Sequence, residues 1–467
     1  MASQAVRAEY SIVNATSRDT SKYSRAVQDW SSLSGPGAAF LAISPPAIGT
    51  AAALWGFHLF EVRKFMALLN LASQRTTELT GRAAVAAVAA MIGVAFAGST
   101  LLTPLYVVYK DQFGFSQITL TLVYGAYVLG NLLALLFFGH LSDRLGRRRT
   151  TLPAMAIAIL SVLVFLFADG VAWLYAGRIL SGVSIGIATG TGTAWLAELI
   201  GRKDKTLATA TATSVNFLGL AISALIAGIL AQYAPWPLQL PFIIYIVALV
   251  VVTGLICWTH ETVAHPRGFR GISLRPNVSV PQEIRGEFIA PAVTGFGAMA
   301  LVGFFAAIGP TMLAQDLHVT NHAVAGALFF QLAIIVAATI LLTQSVPSRT
   351  AMLVGLGLMI PSVILVVWAQ VLASMGLLIA ATACCAVSAA LGYRGSLQVV
   401  NQIAPEQHRA SVVSSYFICG FSGNALPVIG IGAISTMASA VIADMAFAAL
   451  IVVFALAALA MRVIYKK

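Results

Sequence analysis

Charge is scarce in this chain: Asp, Glu, Lys and Arg together make up 9% of 467 residues. Soluble domains carry about a quarter, so a large water-soluble enzyme is excluded. Acid is scarcer than base, with 16 Asp and Glu against 27 Lys and Arg. Cysteine is nearly absent as well, and Cys257, Cys384, Cys385 and Cys419 all sit in apolar stretches. Their spacing suits neither a zinc site nor a redox pair, so they read as small packing residues and no disulfide or metal is expected. What remains is apolar: 59% of the chain, with a mean hydropathy of +0.90. Crossing ~30 Å of hydrocarbon takes ~20 apolar residues, so twelve spans would use ~240 and leave short loops and one tail. That arithmetic describes a polytopic membrane protein.

Hydropathy places spans near 84–109, 118–139, 151–168, 171–199, 207–232 and 239–258, then near 290–312, 323–344, 351–370, 374–401, 407–433 and 440–461. With the tail before the first span inside, sixteen Lys and Arg fall in cytoplasmic connections and only Lys110 falls opposite. This asymmetry is the positive-inside rule, and it puts both termini in the cytoplasm. The net charge of +11 is therefore topological. No basic stripe is interleaved with exposed aromatics, so nucleic acid is not an expected partner.

Residues 1–82 read as an N-terminal extension, partly disordered or interfacial. Its first 35 residues are polar, and Pro45-Pro46 and Gly49 interrupt the apolar run 37–60. That run leaves an extra span as a minority reading, and a start at Met66 would leave a short tail. The connection 260–289 is the longest polar stretch after the tail, and it separates a six-span group at 83–259 from another at 290–467. Sliding one group on the other by 203 residues keeps their spans in register. The expected fold is all-α, with 12 transmembrane helices in two pseudo-symmetric six-helix bundles. Parallel repeats of this kind hold a site between them near the bilayer midplane.

Between spans two and three the chain reads Gly139-His140-Leu141-Ser142-Asp143-Arg144-Leu145-Gly146-Arg147-Arg148-Arg149. This resembles the G-x-L-x-D-R-x-G-R-[RK]-[RK] loop of the major facilitator superfamily, and it lies on the positive side, where that loop belongs. Glycines there allow a tight turn between antiparallel helices, and an aspartate suits the positive end of a helix. The resemblance implies a cytoplasmic gate of Gly139, Asp143, Arg144, Gly146 and Arg147. In it, Asp143 with Arg147 would latch the cytoplasmic side in the outward-facing state. A solvated loop obeying positive-inside would explain the arginines but neither Asp143 nor the glycines.

Span four carries Arg178 in Arg178-Ile179-Leu180-Ser181-Gly182-Val183-Ser184. It resembles the superfamily's R-x-x-Q-G-x-G pattern, with Ser181 and Ser184 at two of its positions. A buried intramembrane arginine is a functional hypothesis by default; the alternative is a tie to backbone carbonyls of span one near Gly98. Span five, Gly219 to Gly228, resembles the G-x-x-x-G-P-x-x-G-G pattern of drug/proton antiporters. Ser223, Ala224 and Ala227 depart from it, and a small-residue packing seam gives the same pattern. Arg394 either lines a cavity or hydrogen-bonds spans ten and eleven. Tyr124, Asn131, Asn216, Gln331, Tyr416 and Asn424 complete the substrate or coupling candidates, each with interhelical hydrogen bonding as its plainer role. No Asp or Glu is placed deep in a span and no histidine is intramembrane, so proton coupling is implied by resemblance alone. Two intramembrane arginines leave an anionic substrate open.

Rival classes fare worse. Gly182-Val183-Ser184-Ile185-Gly186 matches G-x-S-x-G, yet it lies in an apolar helix without the strand-to-helix turn and histidine a serine nucleophile needs. His260-Glu261 with His265 has one residue too many for H-E-x-x-H. A channel would gather repeated subunits around one filter, whereas a transport-inactive sensor stays open. The expectation is a monomeric carrier in the inner (plasma) membrane, working by alternating access without a cofactor. It would move a small organic molecule by proton-coupled efflux, with uptake of a small, possibly anionic nutrient as the runner-up.

Overall fold

A computed structural model of the protein describes residues 78–138, 141–201, 205–263 and 278–464. The readings made for residues 1–77, for Gly139 and for 264–277 of the central connection lie outside them.

Apolar runs in lipid must satisfy every backbone N–H and C=O internally, and a helix does so within one segment. Among the described residues twelve long helices result: α1 (Gly81–Thr100), α2 (Gln117–Phe138), α3 (Arg147–Leu166), α4 (Val171–Ile200), α5 (Lys205–Tyr233), α6 (Leu240–Trp258), α7 (Arg285–Ala307), α8 (His322–Leu342), α9 (Ser348–Val371), α10 (Met375–Ile403), α11 (Arg409–Met437) and α12 (Ala440–Ile464). All twelve are long and apolar enough to cross a membrane.

Two spans differ from expectation. Neither 84–109 nor 290–312 is one continuous helix: α1 ends at Thr100 before a separate helix Tyr106–Phe113, and α7 ends at Ala307 before Gly309–Gln315. Proline is the reason in both. Pro104 and Pro310 offer no N–H, and their rings clash with the carbonyls four residues back. Proline is tolerated in the first turn of a helix, where Pro310 sits. The breaks fall at matching places in the two groups, so the pseudo-symmetry reaches the helix ends.

Packing repeats with the same offset. α1 packs on α4, α5 and α6 as α7 packs on α10, α11 and α12; the α2–α4, α3–α4 and α3–α6 pairs recur as α8–α10, α9–α10 and α9–α12. Small residues set the closest approaches, as membrane helices without a hydrophobic driving force require. A Cβ on Gly219 of α5 would stand 2.0 Å from the Gly93 carbonyl oxygen of α1, and one on Gly423 of α11 would stand 2.2 Å from that of Phe296 on α7. The stretch 219–228 is thus a packing seam: Ser223 Oγ donates to Ala97 O at 2.7 Å on the α1 side. Gly228 faces Gly326 of α8 on the other.

The two most extensive contacts between the groups are α5 against α8 and α2 against α11, and each is the image of the other under exchange of the halves. The loop 141–149, with its four arginines, and the connection 403–409, which carries Arg409, lie at one end of the assembly; it is called the basic end below.

Candidate functional site

At the basic end the loop 141–149 folds around Arg147. Gly146 caps α3 at φ 101°, a conformation that L residues rarely adopt, and a Cβ there would stand 2.7 Å from Glu261 Oε2. Only glycine fits. The Arg147 guanidinium is 6% exposed and holds three partners. It contacts Asp143 Oδ1 at 2.7 Å, donates to Ser142 Oγ at 2.6 Å, and grips Glu198 through Nη2 at 2.6 Å and Nε at 3.2 Å. The two-pronged grip on Glu198 is the stronger geometry. Asp143 is 63% exposed, and ion pairs in water are worth about 0–1 kcal/mol. Glu261 accepts from the backbone N–H groups of Arg147 and Arg148, both at 2.9 Å, as a carboxylate at the positive end of α3 should. Thr262 Oγ1 donates to Glu198 Oε2 at 2.5 Å.

The Asp143–Arg147 pair is thus formed within the N-terminal half, and among the described residues it bridges to nothing in the other half. Arg144 lies on the same short helix, Leu141–Leu145. Glu198 and Glu261, the acids that hold Arg147 and its helix, are not among the residues singled out from sequence for this loop. The available signal was their position, since both are carboxylates at span ends on the side crowded with arginines.

Between the halves lies a cavity of about 130 Å³. Its N-terminal wall includes Phe96, Ser99, Tyr127, Thr193 and Asn216, and its C-terminal wall includes Tyr393, Tyr416, Phe417 and Asn424. The lining is aromatic, aliphatic, hydroxylic and, at Asn216 and Asn424, amidic, and among the described residues no charged side chain contributes to it. Asn216 presents a buried Oδ1 without a hydrogen-bond partner among the described residues. Tyr416 shares a hydrogen bond of 2.7 Å with Ser396 Oγ. Leu135 and Phe417 also line a cleft of about 480 Å³ between α2 and α11. Glu406 and Arg409 border that cleft, so it lies beside the cavity on the side of the basic end.

The other end is closed. Tyr124 and Tyr127 of α2 both donate to Asn424 Oδ1 of α11, at 2.9 and 2.8 Å, and Asn424 Nδ2 donates to Met299 O at 3.1 Å. Beyond this layer, Gly432 of α11 sits against the Thr121 side chain of α2. On the opposite flank, Cβ atoms on Gly228 and Gly326 would stand 2.6 Å from His322 O and 2.4 Å from Ala224 O. Gln232 Oε1 accepts from the His322 N–H at 2.9 Å. Lys110, the lone lysine or arginine of that side's loops among the described residues, donates to Gln117 Oε1 at 3.0 Å; Gln117 Nε2 in turn donates to Thr311 Oγ1 of the other half at 3.2 Å. Burial lowers the affinity of the Lys110 amine for its proton.

Of the cavity candidates read from sequence, Asn216, Tyr416 and Asn424 line the cavity, and Tyr124 lies behind it on the same hydrogen-bond network. The other four lie away from it. Arg178 is fully buried, donating through Nη1 to Ser99 O at 2.7 Å and through Nη2 to the Tyr106 hydroxyl, with Tyr106 and Tyr127 rings 5.2 and 5.6 Å from its guanidinium. A charge in an apolar span seeks carbonyls and ring faces before an apolar cavity. Arg394 turns away and donates to Val346 O at 2.8 Å, in the connection before α9. It takes neither of its two expected places, because a long side chain near a span end reaches for polar backbone at the edge. Gln331 Nε2 donates to Ile379 O at 2.9 Å, tying α8 to α10. Asn131 is buried where Gly186 of α4 meets α2. Tyr127, absent from the candidates, belongs among them; its place three residues after Tyr124 on one helix face was the signal.

One further expectation changes. Asp444 lies at a helix end as read from sequence, yet it is only 3% exposed, so a buried carboxylate does exist within a span.

The sequence description of the Major Facilitator Superfamily matches residues 88–428. Among curated proteins, the mouse "Solute carrier family 2, facilitated glucose transporter member 10" is 33% identical over 94 residues, 20% of this chain and 18% of the relative. The "Multidrug resistance protein 2" of Bacillus subtilis (strain 168) is 27% identical over 151 residues, 32% of this chain and 37% of the relative. The chain thus spans less than two fifths of either relative's length. Three solved structures share the fold, each covered over 81% of this chain. The human organic anion transporter MFSD10 has a TM-score of 0.59 at 18% identity, over 99% of its own chain. A bacterial homolog of the lysosomal transporter Spinster, inward-facing and unoccupied, has 0.60 at 15% over 95%, and a D323A mutant of the nucleoside transporter NupG has 0.63 at 12% over 99%.

Proposed function

The chain belongs to the Major Facilitator Superfamily, and from that premise we propose that it carries a small organic molecule of little net charge across the plasma membrane by alternating access. The observation that carries this reading is a cavity between the halves with an adjoining cleft toward the basic end, while side-chain hydrogen bonds join the halves at the other end. Positive-inside placement makes the basic end cytoplasmic, so the conformation is inward-facing. The walls supply rings, hydroxyls and two amides, which suit an apolar body with a few hydrogen-bonding groups.

An anionic substrate is the weaker reading, since neither Arg178 nor Arg394 reaches the cavity. Efflux is the direction adopted, supported by the partial likeness to the Bacillus multidrug protein, with the proton gradient as the energy source. Among the described residues the cavity wall holds no carboxylate, so a coupling proton has to be carried by other groups. One chain supplies the whole cavity, which supports a monomer as the working unit.

The test is transport by the full chain reconstituted in liposomes. A panel of uncharged, cationic and anionic organic compounds would be screened for uptake, counterflow and dependence on an imposed pH gradient. The expected result is trans-acceleration for at least one compound of low charge. Binding without transport for every compound would support a sensor instead, and transport confined to anions would overturn the substrate class.

A further inference from the structure

A second polar cluster lies away from the cavity, at the closed end of the C-terminal half. Asp444 stands in the first turns of α12 and Gln370 near the end of α9, 3% and 4% exposed. Asp316, half-buried, directly follows the helix Gly309–Gln315. Gln370 Nε2 donates to Asp316 Oδ2 at 3.3 Å and also to Asp444 Oδ2. Two acceptors are then left over: Asp444 Oδ1 and Gln370 Oε1 are buried with no donor among the described residues. Phe304, Phe305 and Phe447 line the small apolar pocket into which Asp444 faces.

Such a set of groups lacks a hydrogen. Ionised carboxylates are acceptors only, whereas a protonated one gains an O–H donor, and an isolated buried charge is neutralised before it is tolerated. A metal ion fits less well. Calcium takes 6–8 oxygen ligands, and no group of three or more His, Cys, Asp or Glu suited to a metal occurs among the described residues.

We propose that Asp444 and Asp316, joined through Gln370, form a proton-binding site, and that this end of the protein closes only when the pair has taken up a proton. The proposal rests on the alternating-access reading. Its link to closure is Asp316: the segment it terminates carries Thr311, which accepts from Gln117 across the halves. When that end opens, the segment parts from the N-terminal half, water reaches the carboxyls and they ionise. Closing returns them to apolar surroundings, where two neighbouring negative charges are costly. The proton comes from water at that end and goes back there, so the site makes closure pH-dependent without carrying a proton across the membrane.

The titratable surroundings are few. Asp316 itself faces Asp444, with His318 beyond it; from α10 the Cys385 thiol lines the same apolar pocket; the ionisable groups of α11, Arg409, Tyr416 and Cys419, lie toward its other end. Neither carboxylate has a lysine or arginine ion-pair partner among the described residues. Burial raises the Asp316 carboxyl above its ordinary range, opposed by the Gln370 hydrogen bond and His318. For an acid, that sign means the closed conformation favours the protonated form and is weakened as pH rises.

The experiment places spin labels at the exposed Gln112 and Thr320, on opposite halves of the closing end, in the cysteine-free full chain in lipid nanodiscs. The closed-to-open ratio is read from the inter-label distance between pH 5.5 and 8.5. One linked proton predicts a ratio that falls by up to about tenfold per pH unit between the site's two pKa values. Asp444→Asn, which mimics the neutral acid, is expected to remain closed at pH 8.5 and lose that slope, and Asp316→Asn to flatten it should the first variant misfold. Asp169→Asn, at another loop of the same side, should keep the wild-type slope. A wild-type ratio independent of pH overturns the site, as do both variants keeping the wild-type slope or a ratio that follows sodium concentration instead of pH. If the distance still responds to substitutions at Tyr124 and Tyr127, alternating access survives and the proton site alone fails; a distance that nothing alters ends both.

Discussion

Removing the hydroxyls of Tyr124 and Tyr127 should tip the protein toward opening at its closed end. Both phenols donate to the same oxygen, Asn424 Oδ1, from the opposite half of the molecule. Tyr→Phe at both positions deletes these bonds while keeping ring volume and packing. A net hydrogen bond is worth about 0.5–1.5 kcal/mol, so the pair contributes about 1–3 kcal/mol to closure. At about 1.4 kcal/mol per factor of ten, the closed-to-open ratio should drop about 5- to 150-fold. The open state loses little, because there the phenols and the amide can bond to water. Each single substitution should yield roughly half of the free-energy change, unless the freed Asn424 oxygen strengthens its remaining bond. The assay is the distance distribution between labels at Gln112 and Thr320 at constant pH, with exchange rates in counterflow as the functional readout. An unchanged distribution in the double variant would refute the assignment of this layer as a closure contact. A lower yield of folded protein with an unchanged distribution would mean that the tyrosines serve the fold alone.

Other perturbations test other parts of the site. Gly326→Val adds a side chain where even a Cβ would stand 2.4 Å from Ala224 O; the α5–α8 seam should be forced apart, with transport lost while the protein still inserts in the membrane. At the basic end, Asp143→Asn should impair transport with normal insertion, whereas Glu198→Gln should release Arg147 and lower thermal stability by about 1–3 kcal/mol as a charged hydrogen-bond partner is lost. Full transport activity in Asp143→Asn would remove that residue from the gate, and an unchanged melting temperature in Glu198→Gln would show that Arg147 finds equal partners elsewhere.

The loop at the basic end and the cavity were legible to different degrees, for physical reasons. The turn at Gly146 was readable because a glycine between two basic-ended spans has few other uses, and its φ of 101° agrees. The partners of Arg147 were not. Its guanidinium could reach any carboxylate at that end, and only the fold brings Glu198, 51 residues away, within 2.6 Å. Intramembrane polarity was likewise easy to locate and hard to direct. Arg178, Arg394, Gln331 and Asn424 all read as isolated polar groups in apolar spans. Rotation of each helix about its own axis decided that Asn424 faces the other half and the cavity, while Arg178 faces carbonyls and rings behind it. A rotation of that kind leaves hydropathy unchanged, so composition carries no trace of it.

Sequence alone determined that this chain lives in lipid, that it crosses as twelve helices in two related groups, and which end carries the positive loops. Those features follow from local chemistry: apolar length against bilayer thickness, prolines and glycines at turns, and the placement of charge. Tertiary structure alone decided which end is shut, which polar groups share the cavity, and that Asp444 and Asp316 meet over a glutamine. Such facts depend on contacts between residues far apart in the chain, such as Tyr127 with Asn424, where a small rotation or shift of one helix exchanges one neighbour for another.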